Sequence, residues 1–377
     1  MNAYQIYSDY LFHKAAQQGI PLSGTFELTA RCNLDCKMCY IHKRANDASA
    51  LEREWSAGQW LELAGECQKA GLLHLLLTGG EPLLRPDFKE IYTGCRRLGL
   101  MVSVNTNATL LDGDMVRFLA ADPPSRVNIT LYGACAETYA ALCGDGGAYR
   151  RVVEAIVALK AAGVLVKVNF SVTPYNFRDA QAVYTFAKEH QLPIQAATYM
   201  FPPVRACEHG CFAADRLTAR EAAEAQMVYD RSRFTPEELR ERWEKQLAGI
   251  RVADPDKECQ ELPTERIRCR AGSSTFWLTY DGHMRPCGMM TSPTANVREM
   301  GFAAAWQAIR TAREDILVPA RCSGCAIRHA CDQCAALCFA ETGDFTGVPE
   351  YMCEKTRAYL ELAREALKEG AEISVEN

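Results

Sequence analysis

The sequence predicts an α/β fold in which six strand–helix units form an open, partial barrel. Between residues 25 and 200, short apolar runs alternate with longer amphipathic stretches, a pattern typical of parallel strands joined by helices. A (β/α)6 arrangement is two units short of a closed TIM barrel, so we expect a TIM-like barrel that stays open. Eight of the 18 cysteines lie between Cys269 and Cys353, and this change in composition predicts a second, cysteine-rich domain.

Each predicted barrel unit combines an apolar strand with the amphipathic helix that follows it. The predicted strands are Thr25–Ala30, His74–Thr78, Leu100–Asn105, Arg126–Leu131, Val164–Val172 and Ile194–Met200. The predicted helices are Ala57–Ala70, Asp87–Leu98, Asp114–Ala120, Tyr149–Ala162 and Arg178–Glu189. In barrels of this kind the active groups lie on loops after the C-terminal ends of the strands, so the loops after the first two strands are the first candidates.

The chain is long enough for two cores, and its composition divides it into five segments. The predicted segments are an N-terminal helical segment over 1–22, the barrel over 23–215, a helical connector over 216–252, the cysteine-rich domain over 253–353, and a C-terminal helix and tail over 354–377. The connector is predicted as two helices because "RLTAREAAEAQMVYD" and "TPEELRERWEKQL" are charged and have a helical pattern.

Composition narrows the classes of partner. The formal net charge is −5 and the sequence has no basic tail, which argues against nucleic acid and anionic membranes. No apolar run is long enough to cross a membrane, and the N-terminus lacks the pattern of a signal peptide. We therefore expect a cytoplasmic protein whose cysteines stay reduced. Reduced, clustered thiols indicate a soft metal.

The loop after the first predicted strand carries three of these thiols. "TARCNLDCKMCYIHKR" places Cys32, Cys36 and Cys39 within eight residues. A structural zinc site needs four ligands, usually as two separated pairs, and His42 is a candidate for the fourth. Three thiolates on one short loop instead suit one face of an iron–sulfur cluster, and this spacing favours the cluster over zinc.

The loop after the second predicted strand reads "TGGEP". Gly79 and Gly80 allow the backbone to approach a ligand closely, because neither carries a Cβ. Glu81 adds an acceptor, and Pro82 restricts the turn. An ordinary strand-to-helix turn is the alternative, and a GGEP sequence on its own favours that alternative.

Together, C-x-x-x-C-x-x-C after one strand and GGEP after the next resemble the radical S-adenosylmethionine (SAM) superfamily. The resemblance implies that the three cysteines bind three irons of a [4Fe–4S] cluster, while SAM chelates the open fourth iron. It also implies reductive cleavage of SAM to a 5′-deoxyadenosyl radical, which abstracts a hydrogen atom from the substrate. The electron would come from an external donor of the flavodoxin or ferredoxin type.

The resemblance also assigns contacts to SAM. It places the segment from Gly79 to Pro82 at the SAM amino group. "VNTNATL" resembles a third-strand motif with Ala108 in place of glycine, "NITLYGA" resembles a fourth-strand motif, and "AYRRV" offers a partner for the SAM carboxylate. A strand-end or surface role is the alternative for each. The further residues assigned in this way are Met38, Thr106, Asn107, Thr130 and Arg151.

The last third of the chain carries the second cysteine pattern. "CRAGSSTFWLTYDGHMRPCG" has one cysteine before a predicted hairpin turn at Gly282 and another five residues after it. "CSGCAIRHACDQCAALC" follows, and one more cysteine comes after it. Zinc is again the alternative, but the CSGC and CDQC pairs are too close together for a zinc ribbon, and eight thiols are too many for one zinc ion.

This region resembles the SPASM extension of radical SAM enzymes, which implies two auxiliary iron–sulfur clusters, expected as [4Fe–4S]. The outer cluster would be bound by Cys322, Cys325, Cys331 and Cys353. The inner cluster would be bound by Cys269, Cys287 and a later cysteine, for which Cys338 is favoured, Cys334 is the alternative, and ligation by both is a third possibility. Cys259 is the candidate to complete the inner cluster; otherwise one of its irons is open.

The two resemblances together imply an enzyme that modifies a ribosomally made peptide, for example by a thioether or carbon–carbon crosslink. The alternatives are a sulfatase-maturase-like enzyme that forms formylglycine, a radical SAM enzyme with a small-molecule substrate and, more remotely, an iron–sulfur electron carrier or redox sensor. Gly288 stands where sulfatase maturases carry an Asp base, which argues against the first alternative, and the GGEP loop argues against the last. Only 31 residues precede Cys32, so we expect a separate leader-binding protein or direct binding of the substrate by barrel and connector.

Several other residues have no settled role in the sequence. The residues Cys67, Cys95, Cys135 and Cys143 are predicted to be ordinary buried cysteines. Near the barrel mouth, "RACEHGC" suggests a substrate contact or thiol relay for Cys207 and Cys211. No general base stands out, and the candidates are Tyr132, His209 and His283.

Overall fold

Six parallel strands, each followed by helical structure, form the centre of one nine-stranded sheet. The protein is a computed structural model that describes residues 3–41, 43–202, 205, 216–250 and 265–373. The central strands are neighbours in chain order and pair in parallel throughout, as the sequence predicts. They are β1 (Ser23–Glu27), β4 (His74–Thr78), β5 (Met101–Thr106), β6 (Arg126–Thr130), β7 (Val166–Ser171) and β8 (Ile194–Ala197).

Helices cover the outer face of this sheet. Helix α3 begins with a capping box, in which Ser56 and Gln59 exchange side-chain and backbone hydrogen bonds. The helix residues that face the sheet are apolar and buried, so a single core joins the helices to the strands. Before and within the barrel, the helices are α1 (Ala3–Gln18), α2 (Ala48–Arg53), α3 (Ala57–Lys69), α4 (Phe88–Arg97), α5 (Gly113–Ala121), α6 (Ala136–Cys143), α7 (Ala148–Ala161) and α8 (Ala180–Glu189).

Alternation along each strand separates an apolar outer face from a polar inner face. In β6, for example, Val127 and Ile129 point outward into the core, while Asn128 and Thr130 point inward. The same alternation places hydroxyl and amide groups along the inner face of neighbouring strands. The inner-face residues of β5, β6 and β7 are Ser103, Asn105, Asn128, Thr130, Lys167, Asn169 and Ser171.

Strands from the cysteine-rich region extend the barrel sheet beyond β1. Strand β9 (Thr275–Leu278) pairs in parallel with β1, and β10 (His283–Arg285) and β11 (Ala295–Asn296) continue antiparallel. The predicted boundary between barrel and cysteine-rich domain therefore does not separate their sheets. The physical reason is that β1 would otherwise be an edge strand with unpaired backbone groups.

Three helices pack together on the far side of the barrel. They are α9 (Ala219–Arg233), α10 (Pro236–Ala248) and α15 (Glu350–Ile373), and the first two form the predicted connector. Trp243 Nε1 donates a hydrogen bond to Tyr359 Oη at 3.1 Å in their small core. Helix α15 begins at Glu350 and crosses the predicted boundary at residue 354, so Cys353 lies on its first turn.

The remaining elements are short. A two-stranded parallel ribbon at the base of the three-cysteine loop consists of β2 (Arg31–Cys32) and β3 (Lys43–Arg44). The remaining helices are α11 (Val297–Met300), α12 (Phe302–Arg313), α13 (Ala320–Ser323) and α14 (Ala335–Thr342). In the part of the chain that the structure describes, no helix is both long enough and apolar enough to cross a membrane.

Candidate active site

The three-cysteine loop follows β1 at the C-terminal end of the barrel strands. Cys32 lies on the short strand β2, and the rest of the loop is held against the end of α6. The amide groups of Asp35 and Lys37 donate hydrogen bonds of 3.0 Å to the carbonyl groups of Cys143 and Leu142, respectively. These backbone bonds explain how so short a loop keeps one shape.

The thiols of the loop lie close to one another in a largely buried environment. Burial raises the pKa of Cys32, and Glu81, Cys36 and Cys39 raise it further. Asn107 Nδ2 lies 3.5 Å from Cys32 Sγ, a distance that suits a donor to a thiolate. Buried thiols with raised pKa values stay protonated on their own, and only a bound cation makes them good ligands.

The donor set, three thiols on one short loop, fits three irons of an iron–sulfur cluster. Among the residues that the structure describes, no three His, Cys, Asp or Glu side chains converge on one metal position. A cluster binds each cysteine through a different iron, so its ligands do not need to converge on one point. His42, the candidate for a fourth zinc ligand, lies outside the described residues.

Cys36 also contacts two side chains to which the sequence analysis gives other roles. Its thiol hydrogen bonds with Cys143 and Tyr132. Burial raises the pKa of Tyr132, and its role as a general base stays a prediction. Cys143 is buried as predicted, but it lies against the three-cysteine loop. His283, another candidate base, is paired with Asp281 at 3.2 Å, and His209 lies outside the described residues.

The two glycines of the GGEP loop approach the backbone of the three-cysteine loop. An added Cβ on Gly79 would overlap the carbonyl oxygen of Thr29, and one on Gly80 would lie 2.5 Å from the Ala30 carbonyl oxygen. Gly80 N donates to Thr29 O at 2.7 Å. The group that these glycines approach in the structure is the neighbouring loop, and this packing fixes the two loops relative to each other; the predicted approach to a ligand stays a prediction.

Glu81 organises the ends of the second and third barrel strands. Its carboxylate is fully buried and accepts from Leu83 N at 2.9 Å, Thr106 Oγ1 at 2.8 Å and Asn107 N at 2.7 Å. Burial raises the pKa of Glu81 to about 7, and the three hydrogen bonds oppose this rise. Pro82 is buried at the start of a single helical turn that follows. Glu81 therefore holds Thr106 and Asn107 beside Cys32.

Ala108 has a positive φ of 63°, which explains why the resembled motif has glycine at this position. Left-handed backbone costs an L-residue about 1–2 kcal/mol, whereas glycine adopts it freely.

We therefore expect Ala108→Gly to leave the free energy of unfolding unchanged or to raise it by up to about 1 kcal/mol, after allowing for the extra chain entropy of glycine. Urea denaturation of the variant measures this change. Ala158→Gly, at an exposed position on α7, is the control and should lower the free energy of unfolding by about 1 kcal/mol. An equal loss in both variants would contradict the assigned strain.

The other residues predicted at SAM occupy different environments. Met38 packs against the main core, and Thr130 ends β6 on the inner face of the sheet. Arg151 forms an ion pair with Asp145 on a half-exposed surface. It also lines a surface cavity opposite Thr109, two residues after Asn107. Their contact with SAM remains a prediction.

A buried ionic network under the three-cysteine loop is absent from the sequence predictions. Glu54 pairs with Arg31 at 2.8 Å and with Arg85 at 3.3 Å, and it also accepts from Thr29 Oγ1. The three charged side chains are between 5% and 11% exposed. Arg85 also donates to the carbonyl oxygen of Leu28 at 3.0 Å. No motif signals this network, because its members come from separate turns of the chain.

The four cysteines predicted for the outer auxiliary cluster line one cavity of about 210 Å³. Burial raises the pKa of Cys322 to about 11, and Cys353, Cys331 and Cys325 raise it further. The loop before α14 and the first turn of α15 bring these residues together.

A second group of cysteines lies beside the β9–β10 hairpin. Burial raises the pKa of Cys287 to about 11, with further contributions from Cys334 and Cys269. Cys338 is fully buried instead, and its sulfur accepts from Gln333 Nε2 at 2.8 Å. The structure therefore places Cys334, the alternative of the sequence analysis, with the hairpin cysteines. Cys259, Cys207 and Cys211 lie outside the described residues.

A charged group joins β1 to this hairpin across the inner face of the barrel. The carboxylate of Glu27 is fully buried and accepts from Arg205 Nη1 at 2.7 and 2.8 Å, and from Trp277 Nε1 at 3.0 Å. Tyr40 packs under the Arg205 guanidinium at 5.4 Å. Burial raises the pKa of Tyr40, and among its further causes are Glu27, Cys39 and Cys287. The group therefore lies between the three-cysteine loop and the hairpin.

Comparison with known sequences places the two loops within one family domain. The sequence model of the radical SAM superfamily matches residues 26–187. An AdoMet-dependent heme synthase of Methanosarcina barkeri is 26% identical over 88% of this chain and 95% of its own length. Another protein with this name, from Oleidesulfovibrio alaskensis, is 25% identical over 84% of this chain and 83% of its own length.

Comparison with solved structures supports the fold. Streptococcus suis SuiB bound to S-adenosylmethionine superposes with a TM-score of 0.64 at 16% identity, covering 90% of this chain and 80% of SuiB. The anSMEcpe structure with bound AdoMet has a TM-score of 0.66 at 18% identity, covering 93% of this chain and 99% of the other. Because the three-cysteine loop, the GGEP loop and strand β4 between them all lie within residues 26–187, this part of the chain is identified as a radical SAM domain, which is the domain of an enzyme.

Proposed function

We propose that this enzyme modifies a ribosomally made peptide, forming a crosslink such as a thioether or carbon–carbon bond. The observation that supports this proposal is the polar inner face of the barrel. Amide and hydroxyl side chains of three adjacent strands line it, and Asn128 Oδ1 has no hydrogen-bond partner among the residues that the structure describes. Such groups suit the N–H and C=O groups of a peptide backbone.

The residues of the two loops fit the cofactors that the proposal requires. Cys32, Cys36 and Cys39 would hold the [4Fe–4S] cluster, and the buried ends of β4 and β5 would bind SAM beside it. When bound there, the reduced cluster supplies the electron that cleaves SAM to the 5′-deoxyadenosyl radical, which takes a hydrogen atom from the substrate. The chain itself holds the two loops together through Gly80 and Glu81.

Two auxiliary iron–sulfur clusters complete the proposed enzyme. The outer one would use Cys322, Cys325, Cys331 and Cys353, which share one cavity. The inner one would use Cys269, Cys287 and Cys334, in place of the favoured Cys338, since Cys334 lies near the other two. Cys259 remains the proposed additional ligand.

Cys334→Ala is therefore expected to lower bound iron by about four atoms from about twelve per chain, whereas Cys338→Ala keeps nearly all of it. Iron analysis after anaerobic reconstitution measures this difference. The result would be reversed if Cys338 were the ligand, and both variants would lose iron if both cysteines were ligands.

The proposal also includes partners. An external donor of the flavodoxin or ferredoxin type would reduce the clusters in the cytoplasm, and a separate protein would bind a peptide leader if the substrate has one. Support comes from SuiB bound to its precursor peptide SuiA and from anSMEcpe with bound Cp18Cys peptide, which share the fold.

Formylglycine formation is a weaker alternative. Gly288 stands where sulfatase maturases carry a base, and it is buried against the indole of Trp277. An added Cβ there would lie 3.0 Å from the ring. A carboxylate side chain at this position would need the tryptophan to move.

A second candidate function is radical chemistry on a tetrapyrrole. The names of the sequence relatives favour it, because three AdoMet-dependent heme synthases match 84–88% of this chain. The polar inner face favours the peptide, since the face of a porphyrin ring is largely apolar.

The two candidates differ in a direct assay. The anaerobically reconstituted enzyme, with SAM and dithionite, is incubated either with short peptides encoded in reading frames beside its own or with iron coproporphyrin III. The proposal predicts that one of the peptides raises 5′-deoxyadenosine formation and loses two hydrogens by mass spectrometry. Modification of the porphyrin, with every peptide unchanged, would select the second candidate.

A further inference from the structure

Arg285, on the last position of β10, has buried donor groups without partners. Its Nε and Nη1 atoms are inaccessible to solvent, and among the described residues neither has a hydrogen-bond acceptor. Buried guanidinium groups are costly unless an acceptor or an anion satisfies them. An acceptor on a bound molecule would therefore stabilise these two donors.

The carboxylates closest to Arg285 are already engaged. Both oxygens of Glu27 accept from Arg205, and one of them also accepts from Trp277. Asp281 accepts from Thr279 Oγ1 at 2.7 Å and pairs with His283. Within the described part of the chain, Arg205 Nε is likewise buried without a partner. The cluster thus offers unpaired N–H groups from two guanidinium groups.

The charges of this cluster lead to the same conclusion as its unpaired N–H groups. Three arginines surround two carboxylates, because Arg53 lies 3.8 Å from Asp281 on its outer side. Arg205 pairs with Glu27 and Arg53 lies beside Asp281, so one further anion would balance the charge of Arg285.

Arg285 lies where we expect the substrate to bind. Arg285 pairs with Trp277 in register, and Trp277 pairs with Thr25, two residues before Glu27. All these side chains share one face of the sheet. The other face, with Phe276, packs on the outer helix α12. The unpaired donors therefore lie on the inner face, between the three-cysteine loop and Cys287.

We propose that Arg285, with Nε of Arg205, binds a carboxylate of the substrate on this inner face of the sheet. A guanidinium group matches the two oxygens of a carboxylate, and the pairing would satisfy the donors that the chain leaves open. The inference rests on the proposed peptide substrate. It specifies a peptide with an acidic side chain, or a C-terminal carboxylate, anchored next to the radical chemistry.

Small probes separate these two sources of a carboxylate. N-acetyl-aspartate N′-methylamide presents an acidic side chain, N-acetyl-alanine presents a terminal carboxylate, and N-acetyl-asparagine N′-methylamide is the neutral control. Thermal unfolding of the anaerobic, reconstituted enzyme is followed with increasing concentrations of each probe. The proposal predicts a rise in Tm with at least one carboxylate and none with the neutral amide.

Arg285→Gln should abolish that rise, whereas Arg117→Gln, at a 75% exposed arginine on α5, should keep it. Arg285→Met should also raise Tm by a few degrees without any probe, because it removes unpaired buried donors. No carboxylate-specific rise in the unaltered enzyme, or the same rise in Arg285→Gln, would overturn the proposal.

Assay of SAM cleavage in the same samples separates this inference from the proposed function. Carboxylate binding without 5′-deoxyadenosine formation would refute the proposed reaction and keep the subsite. SAM cleavage without carboxylate binding would refute the subsite alone.

Discussion

Replacement of Cys32, Cys36 or Cys39 by alanine is expected to abolish 5′-deoxyadenosine formation and to lower bound iron by about four atoms per chain. Each of these thiols lies in one short loop held against α6 and the GGEP loop, so no other described cysteine is placed to replace it except Cys143. The measurement combines iron analysis with a chromatographic assay of SAM cleavage under anaerobic conditions.

The matched control is Cys67→Ala, because Cys67 is fully buried on α3 and packs only in the core. This variant should keep its iron and its SAM cleavage. Cys143→Ala is an informative second comparison, since its thiol contacts Cys36. Full SAM cleavage by Cys32→Ala would contradict the assignment of this loop as the site of the cluster.

Glu54→Ala is expected to lower the free energy of unfolding by about 3–5 kcal/mol, which is the usual cost of breaking a buried ion pair. The substitution leaves Arg31 and Arg85 without their shared carboxylate, and the side chains are only 11% and 5% exposed. Chemical denaturation of the variant and of the unaltered protein, both without iron, measures the difference. Glu62→Ala on the exposed face of α3 should change stability by less than about 0.5 kcal/mol.

The position of Glu54 gives this prediction a second consequence. Glu54 accepts from Thr29, whose carbonyl oxygen binds the GGEP loop through Gly80. A variant that still folds should therefore bind the iron–sulfur cluster less well at the three-cysteine loop. A loss of stability similar to that of Glu62→Ala would show that the network contributes little.

The parallel barrel and its two loops were predictable because their signals are local. Strand periodicity, helix caps and the order of the two motifs all lie within short stretches, and the structure confirms the strands to within a few residues. Ala108 is an instructive case: its positive φ shows why the related motif uses glycine, yet the sequence here carries alanine.

The features that were not predictable depend on contacts between distant segments. Residues 275–296 join the barrel sheet beside β1, and Glu54 connects turns that no motif links. The choice between Cys334 and Cys338 turns on which side of α14 faces the hairpin, and spacing alone does not determine it. The unpaired donors of Arg285 were not predictable either, because they depend on the pairing of Glu27 with Arg205.

Cleavage of SAM by the unaltered enzyme is the direct test of whether the three-cysteine loop and the GGEP loop form a radical SAM site. The chain is reconstituted with iron and sulfide without oxygen, its iron content is confirmed, and SAM and dithionite are added. Formation of 5′-deoxyadenosine, dependent on both additions, is the predicted result. If the enzyme has its full iron content and forms no 5′-deoxyadenosine, the two loops do not form a radical SAM site.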